Sequence, residues 1–319
     1  MIDKQLRLAG KVIKIIQNAS SETGFLKLVR RNNKMMNKFF AGKNIKGVQH
    51  IEKWINRKKD GTKLRICIYK PLNPKENVPG VLYIHGGGYA MGSPEQSQGI
   101  YKRLIAESDC VIVAPDYRLS GEAPYPAALE DCYEALMWMK NNAEVLGIRD
   151  NQLMVGGESA GGGLTAALTL YARDKGEVNI AFQMPLYPMI DDRMTNESAK
   201  ENDAPVWNSD LNKFAWKLYL GELFEKDVPA YAAAARATDY TNLPPTVTFV
   251  GDVEPFRDET VEYVNNLRKA GVPVDFELYK GCYHAFDAAC TKAEVSKKAT
   301  SFLMDSFNYA VENYFAEQK

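Results

Sequence analysis

Gln152-Leu153-Met154-Val155-Gly156-Gly157-Glu158-Ser159-Ala160-Gly161-Gly162-Gly163-Leu164-Thr165-Ala166-Ala167-Leu168-Thr169-Leu170-Tyr171 reads as a strand, a tight turn and a helix in immediate succession. Gln152–Gly156 is a short, mostly apolar run, and Leu164, Ala167, Leu168 and Tyr171 recur at helical spacing. Between them, Gly157-Glu158-Ser159-Ala160-Gly161 fits the pattern G-x-S-x-G. Its glycines permit a turn too tight for a Cβ, which would lift the Ser159 hydroxyl clear of a sheet. The helix start behind it supplies unpaired N–H groups and the positive end of a dipole. The pentapeptide alone would also suit a phosphate-binding turn; its strand–turn–helix setting favours a nucleophile.

Outward from this turn, the chain alternates strand-like and helix-like segments from about residue 48. Strands are expected at Lys63–Tyr69, Val81–His85, Cys110–Pro115, Gln152–Gly156, Ile180–Leu186, Thr246–Val250 and Val274–Tyr279. Several are continuous apolar or β-branched runs, as strands covered on both faces require. Helices are expected at Ala127–Lys140, at Glu259–Lys269 with Gly271 as its stop, and at Ala293–Phe315. The pattern predicts an α/β fold: a mostly parallel central sheet with helices on both faces. Two regions fall outside it. Residues 1–45 are basic and helix-prone, with Leu8, Val12, Ile15, Ile16, Phe25, Leu28, Met36 and Phe40 as apolar positions. Residues 191–225 carry Trp207, Phe214, Trp216 and Tyr219 among polar residues.

His85-Gly86-Gly87-Gly88 follows the second strand candidate. Consecutive glycines let backbone N–H groups approach a tetrahedral oxyanion unobstructed, and upstream of a G-x-S-x-G turn they read as an oxyanion loop. The favoured donors within Gly86–Gly88 and the turn are the N–H groups of Gly87, Gly88 and Ala160; His85 is expected to order the loop. His284 lies in a loop after the last strand candidate, where a base must lie to reach the serine. His85 belongs to the glycine loop and His50 lies outside the alternating body, so elimination leaves His284 among the three histidines. An acid should fall between Ser159 and His284 at a strand end. Gly251-Asp252-Val253-Glu254-Pro255-Phe256-Arg257-Asp258 offers three carboxylates there. Asp258 is expected to cap or begin the next helix. Asp252 and Glu254 stay equivalent on these grounds.

Together His85–Tyr89, Asp116-Tyr117-Arg118-Leu119, Pro126–Asp131, Gly157–Gly162, Asp252–Asp258 and His284-Ala285-Phe286 resemble the hormone-sensitive-lipase-like esterases, the bacterial family IV branch of the α/β hydrolases. The likeness runs from about His85 to Phe286. It implies a serine carboxylesterase with a Ser159–Glu254–His284 triad, because the family's acid position, usually Asp before Pro, falls on Glu254. Glu158 likewise stands where the family usually has Asp. The resemblance further implies a helical cap built from residues 1–45 and an insertion at about 191–225, over a catalytic domain spanning 46–319. Tyr89 and Trp207 would belong to the substrate pocket, and Asp116 and Arg118 would be structural. A cap rich in bulky side chains implies a closed, aromatic-lined pocket and short acyl groups. Esters and amides share the tetrahedral path, so an amidase or arylformamidase is the rival; a ligand-binding relative without turnover is disfavoured by the intact serine, histidine and glycine set.

Composition narrows the partners. Lys+Arg and Asp+Glu both number 40, which implies no nucleic-acid partner. Residues 1–48 hold eleven Lys or Arg against Asp3 and Glu22, so that segment is +9 and the remainder −9. A solvated cap helix is the plainer reading of that segment; attraction to anionic lipid would need a cleaner apolar stripe than the sequence presents. Five cysteines without CxxC spacing and three histidines give no metal cluster, and the odd cysteine count suggests reduced thiols in a cytoplasmic protein. No run approaches ~18 apolar residues, so no membrane span is expected. The chemistry calls for no cofactor and no metal, a small-molecule ester is the expected partner, and a homo-oligomer is compatible with the composition.

Overall fold

The computed structural model describes residues 1–319 except Asn18, Phe40, Ala41, Lys43, Asn44 and Lys319, and at Asn37 only the backbone. The apolar position Phe40 therefore lies outside the described residues. The strands are β1 (Val48–Asn56), β2 (Lys63–Pro71), β3 (Val78–Ile84), β4 (Val111–Pro115), β5 (Ile148–Glu158), β6 (Phe182–Leu186), β7 (Thr246–Gly251) and β8 (Val274–Tyr279). They form one eight-stranded sheet in the order β1-β2-β4-β3-β5-β6-β7-β8. β2 pairs antiparallel with β1 and β4, and every other pair is parallel, so β2 alone runs against the rest.

The helices are α1 (Arg7–Ile16), α2 (Glu22–Phe39), α3 (Gln98–Ser108), α4 (Ala127–Asn141), α5 (Ala143–Leu146), α6 (Ala160–Lys175), α7 (Ser209–Leu220), α8 (Arg257–Lys269), α9 (Phe286–Ala289) and α10 (Glu294–Asn313). Every residue of β3, β4, β6 and β7 is buried, as sheet strands covered on both faces must be. All seven expected strands form. β1 is an addition that the sequence reading passed over, and with it His50 joins the sheet. Only Val48 and Ile55 of β1 are fully buried, so its edge position leaves no apolar run to read. Asp258 lies in the first turn of α8, where the alternative of beginning the helix put it, but it is not the cap. Phe256 is the N-cap of α8, whereas the Asp258 carboxylate accepts the Ser198 N–H at 2.8 Å and ties the helix to the insertion.

Three helices lie outside the alternating body. α2 meets α7 through Phe25 against Phe214, ring centroids 6.0 Å apart, and Lys217 bonds Glu22 at 2.7 Å. α1 is pressed inward at Gly10, where a Cβ would sit 2.9 Å from Tyr283 Cε1 and 3.1 Å from Pro205 Cγ. The small side of α1 therefore faces the protein. Phe25 and Leu28 are buried, but Leu8, Val12, Ile15 and Ile16 are all exposed.

Candidate active site

Ser159 sits between the end of β5 and the first turn of α6, with φ 59° and ψ −121°. A non-glycine residue holds such a conformation only where its surroundings over-determine it. Here its N–H donates to the Leu186 carbonyl at 3.0 Å, and its carbonyl accepts from Gly163 and Met189 at 2.9 and 3.0 Å. The flanking glycines are required by close approach. A Cβ on Gly157 would lie 2.5 Å from the Ile84 carbonyl oxygen, and one on Gly161 would lie 2.1 Å from it.

His284, in the loop between β8 and α9, brings Nε2 to 2.8 Å from Ser159 Oγ. Its Nδ1 lies 2.5 Å from Glu254 Oε2. Glu254 is fully buried, and its other oxygen accepts the Gly251 N–H at 2.9 Å. The two carboxylates that the sequence left equivalent thus face different partners. Asp252 accepts the Gly281 N–H at 2.6 Å, which braces the histidine loop from outside without touching the ring. Rings pack around the imidazole: Tyr187 and Phe256 lie edge-on at centroid distances of 5.0 and 4.9 Å.

Beside Ser159, the glycine loop after β3 is clamped. His85 Nδ1 lies 2.8 Å from the Gly86 carbonyl, its ring stacks on Tyr117, and Tyr117 donates its hydroxyl to the His85 carbonyl at 2.9 Å. The loop-ordering role expected of His85 matches these contacts, and burial pushes its pKa down, favouring the neutral ring. Asp116 and Arg118 flank Tyr117 and are structural: Asp116 bonds Arg65 at 3.0 Å, and Arg118 bonds the buried Asp131 at 2.9 Å.

Gly86 corrects one expectation. Its N–H donates to Glu158 Oε1 at 3.1 Å and so is spent inside the protein. The N–H groups of Gly87, Gly88 and Ala160 donate to no acceptor among the described residues, which leaves those three of the expected donors free. Sequence reasoning gave Glu158 no role beyond its departure from Asp. It is half-buried beneath the loop, accepts Ser97 Oγ at 2.5 Å as well as Gly86, and has its pKa raised by desolvation. An acid directly before the nucleophile was the available signal.

A cavity of about 400 Å³ opens over Ser159 and His284. Its walls are Leu28, Met35 and Met36 from α2, Met91 beyond the glycine loop, and Val206, Trp207 and Leu211 from the insertion. Trp207 lines this cavity, with its ring so close to Gly88 that a Cβ there would lie 2.3 Å from Cη2. Tyr89 does not. It lies buried behind the loop, stacked on Tyr219 at 3.9 Å, with its hydroxyl donating to the Met189 carbonyl at 2.7 Å. A phenol that finds both a stacking partner and a carbonyl in the core gains nothing by facing the pocket. Trp216, Tyr219 and Phe214 also pack within the protein, so the walls are mainly methionine and aliphatic rather than aromatic. A larger cavity, about 610 Å³, lies beside the end of α6 and residues 313–316. It holds no histidine or acid, so size alone does not mark the site.

The fold is that of an α/β hydrolase, with Ser159, His284 and Glu254 brought together at its strand-to-helix elbow. The chain belongs to the α/β-hydrolase family whose model, described as "alpha/beta hydrolase fold", matches residues 81–288, and within it to the hormone-sensitive-lipase-like branch. It is 33% identical over 235 residues to "Esterase LipI" of Mycobacterium tuberculosis, covering 73% of each chain. To "Arylesterase" of Saccharolobus solfataricus it is 31% identical over 250 residues, covering 76% of this chain and 80% of that one. The solved structure "Bacterial Heroin Esterase" superposes with a TM-score of 0.89 at 32% identity, across 97% of this chain and 98% of the other.

Proposed function

We infer that the chain is a carboxylic ester hydrolase acting on short-acyl esters, with Ser159 as nucleophile, His284 as general base and acid, and Glu254 as the group that orients it. The observation that carries the reading is the unbroken chain Ser159 Oγ–His284–Glu254, at 2.8 and 2.5 Å, opening on a cavity that the serine itself lines. Esterases among the relatives support the ester as substrate class. Ser159 Oγ attacks the ester carbonyl carbon as its proton passes to His284 Nε2. The oxyanion accepts from the N–H groups of Gly87, Gly88 and Ala160. Collapse breaks the bond to the alcohol oxygen, which takes the proton from His284 and leaves. Water, deprotonated by His284, then attacks the acyl-enzyme; the serine recovers its proton and the acid departs. Glu254 holds Nδ1–H and so keeps Nε2 free to receive the serine proton. Trp207 against Gly88 narrows the cavity beside the oxyanion donors, which favours acetyl to butyryl groups. Unpaired cysteines fit a cytoplasmic setting.

Treatment with a fluorophosphonate should place one covalent adduct on the peptide containing Ser159. Ser159→Ala should abolish labelling and lower kcat for p-nitrophenyl acetate by roughly 10³–10⁶-fold with an unchanged melting curve. Near-normal turnover in that variant overturns the assignment. Higher kcat/KM on palmitoyl than on butyryl esters rejects the short-acyl part alone.

A further inference from the structure

α1 turns its larger apolar side chains away from the protein. At 100° per residue, Leu8, Val12, Ile15 and Ile16 fall within an arc of about 100°. Leu8 is 77% and Ile15 82% exposed, and Val12 and Ile16 are about half exposed. The opposite side is fixed by Gly10 against Tyr283 and Pro205, so no rotation of the helix could bury the stripe without breaking that contact. Along one flank of the stripe run Arg7, Lys11 and Lys14. Arg7 and Lys14 are held by the Ile2 carbonyl and Asp203, whereas Lys4, Lys11, Arg30 and Lys34 are exposed and form no ion pair among the described residues. The stripe leads to the cavity: Gln17 directly follows Ile16, and Gln17 and the half-exposed Met35 both line the space over Ser159.

An exposed aliphatic arc beside a row of free cations is the composition of a helix lying in a membrane interface. We propose that α1, with the exposed edge of α2, docks the protein on an anionic lipid surface and turns the mouth of the Ser159 cavity toward it. Charge selects this occupant over a second copy of the chain. Residues 1–48 carry +9, and a two-fold contact through this face would set the same cations against each other. Anionic headgroups would instead neutralise them while the four aliphatic side chains leave water. No described helix is long and apolar enough to cross a membrane, so the attachment is peripheral and reversible. The use of such docking for amphiphilic esters rests on the esterase reading, but the docking does not.

Vesicle binding without any substrate separates the two. The full chain should co-sediment with phosphatidylcholine vesicles containing about 30% phosphatidylserine at least about tenfold more strongly than with pure phosphatidylcholine, at about 0.1 M salt. Leu8→Ser with Ile15→Ser should weaken that binding by about tenfold or more while leaving p-nitrophenyl acetate turnover unchanged, which also verifies folding. Lys4→Glu with Lys11→Glu should remove the preference for the anionic vesicles. Equal binding to both vesicle types, or aliphatic variants that sediment like the parent, overturns the proposal. So does absence of vesicle binding together with loss of a dimer in the Leu8/Ile15 variant by sedimentation velocity, which would assign the stripe to a second copy.

Discussion

The floor of the site and its cap are built on opposite principles. In the floor, backbone atoms approach so closely that the residue type is dictated: Gly157 and Gly161 admit no Cβ, and Ser159 is locked at a positive φ by three backbone hydrogen bonds. In the cap, contact is made by side chains. Phe25 leans on Phe214, methionines line the cavity, and one helix carries aliphatic residues in water. Backbone contacts tolerate almost no substitution, whereas flexible thioether and aliphatic contacts can be repacked. On the proposed mechanism, the chemistry would rest on backbone contacts and the choice of acyl group on side-chain ones.

Changes in the floor should therefore cost rate, and changes in the cap should redistribute it. After the loss of Ser159, the largest expected effect is at Glu254. Glu254→Gln keeps the volume but removes the charge facing His284 Nδ1, so kcat should fall by roughly 10²–10⁴-fold with KM little changed. Asp252→Asn, two residues away, should lose far less because among the described residues its carboxylate hydrogen-bonds the Gly281 N–H and not the imidazole. Comparable losses in the two variants, read from p-nitrophenyl acetate kinetics, would mean the floor is not as finely specified as its contacts imply.

Trp207→Ala tests the other half of the contrast. It removes the ring against Gly88 and should raise kcat/KM for octanoyl over butyryl esters by roughly tenfold, with the labelling of Ser159 by fluorophosphonate retained. Loss of labelling would show that the cap supports the chemistry itself.

The smallest effect is expected at the seam between the two regions. Glu259 of α8 is buried and accepts the Ile190 and Asp191 N–H groups, at 2.8 and 3.2 Å, where the insertion begins. Desolvation, the largest cause, holds its pKa well above the ordinary carboxylate value. A raised folded pKa means stability that is fully present below the unfolded value of about 4.5 and is lost as pH rises through the folded one. Glu259→Gln lacks that loss, so its melting temperature should gain on the parent by roughly 2–4 °C between pH 5 and 8. A constant difference across that range would show that Glu259 titrates as a solvated acid.

The contrast also explains what could be read from the residues alone. The elbow, the glycine loop and the order of serine, acid and histidine were legible because tight backbone geometry restricts residue type. The inner strands were legible because coverage on both faces demands apolar runs, whereas β8, at the other edge, has no fully buried residue and alternates polar with apolar side chains; β1, polar along most of its edge, left no such trace. Glu254 and Asp252 could not be separated by residue physics, since a two-residue offset in the turn after β7 decides which carboxylate meets the ring. Tyr89 was misplaced because an aromatic beside a glycine loop can point to the cavity or to the core, and only the Met189 carbonyl and Tyr219 ring decide. The stripe on α1 was hidden for a related reason. Its aliphatic residues were in plain view, but which side of the helix meets the protein depends on Gly10 fitting against Tyr283 and Pro205.

The loop bearing His284 is stitched to the far end of the chain. The Asp3 N–H donates to the Gly281 carbonyl at 2.9 Å, Tyr283 reaches the Leu6 carbonyl at 3.3 Å, and the Gln5 side chain accepts the Glu294 N–H at 2.8 Å. These are among the most sequence-distant contacts a chain of this length can make, and such contacts form late in folding because so much chain must be closed to make them. During synthesis the serine elbow would leave the ribosome long before His284, and Asp3, Gln5 and Leu6 would meet their partners only after Gly281, Tyr283 and Glu294 had been made. A chain made only partway to this loop would have a finished elbow and no positioned imidazole, and on the proposed mechanism would be unable to attack esters until residues 3–6 meet the loop.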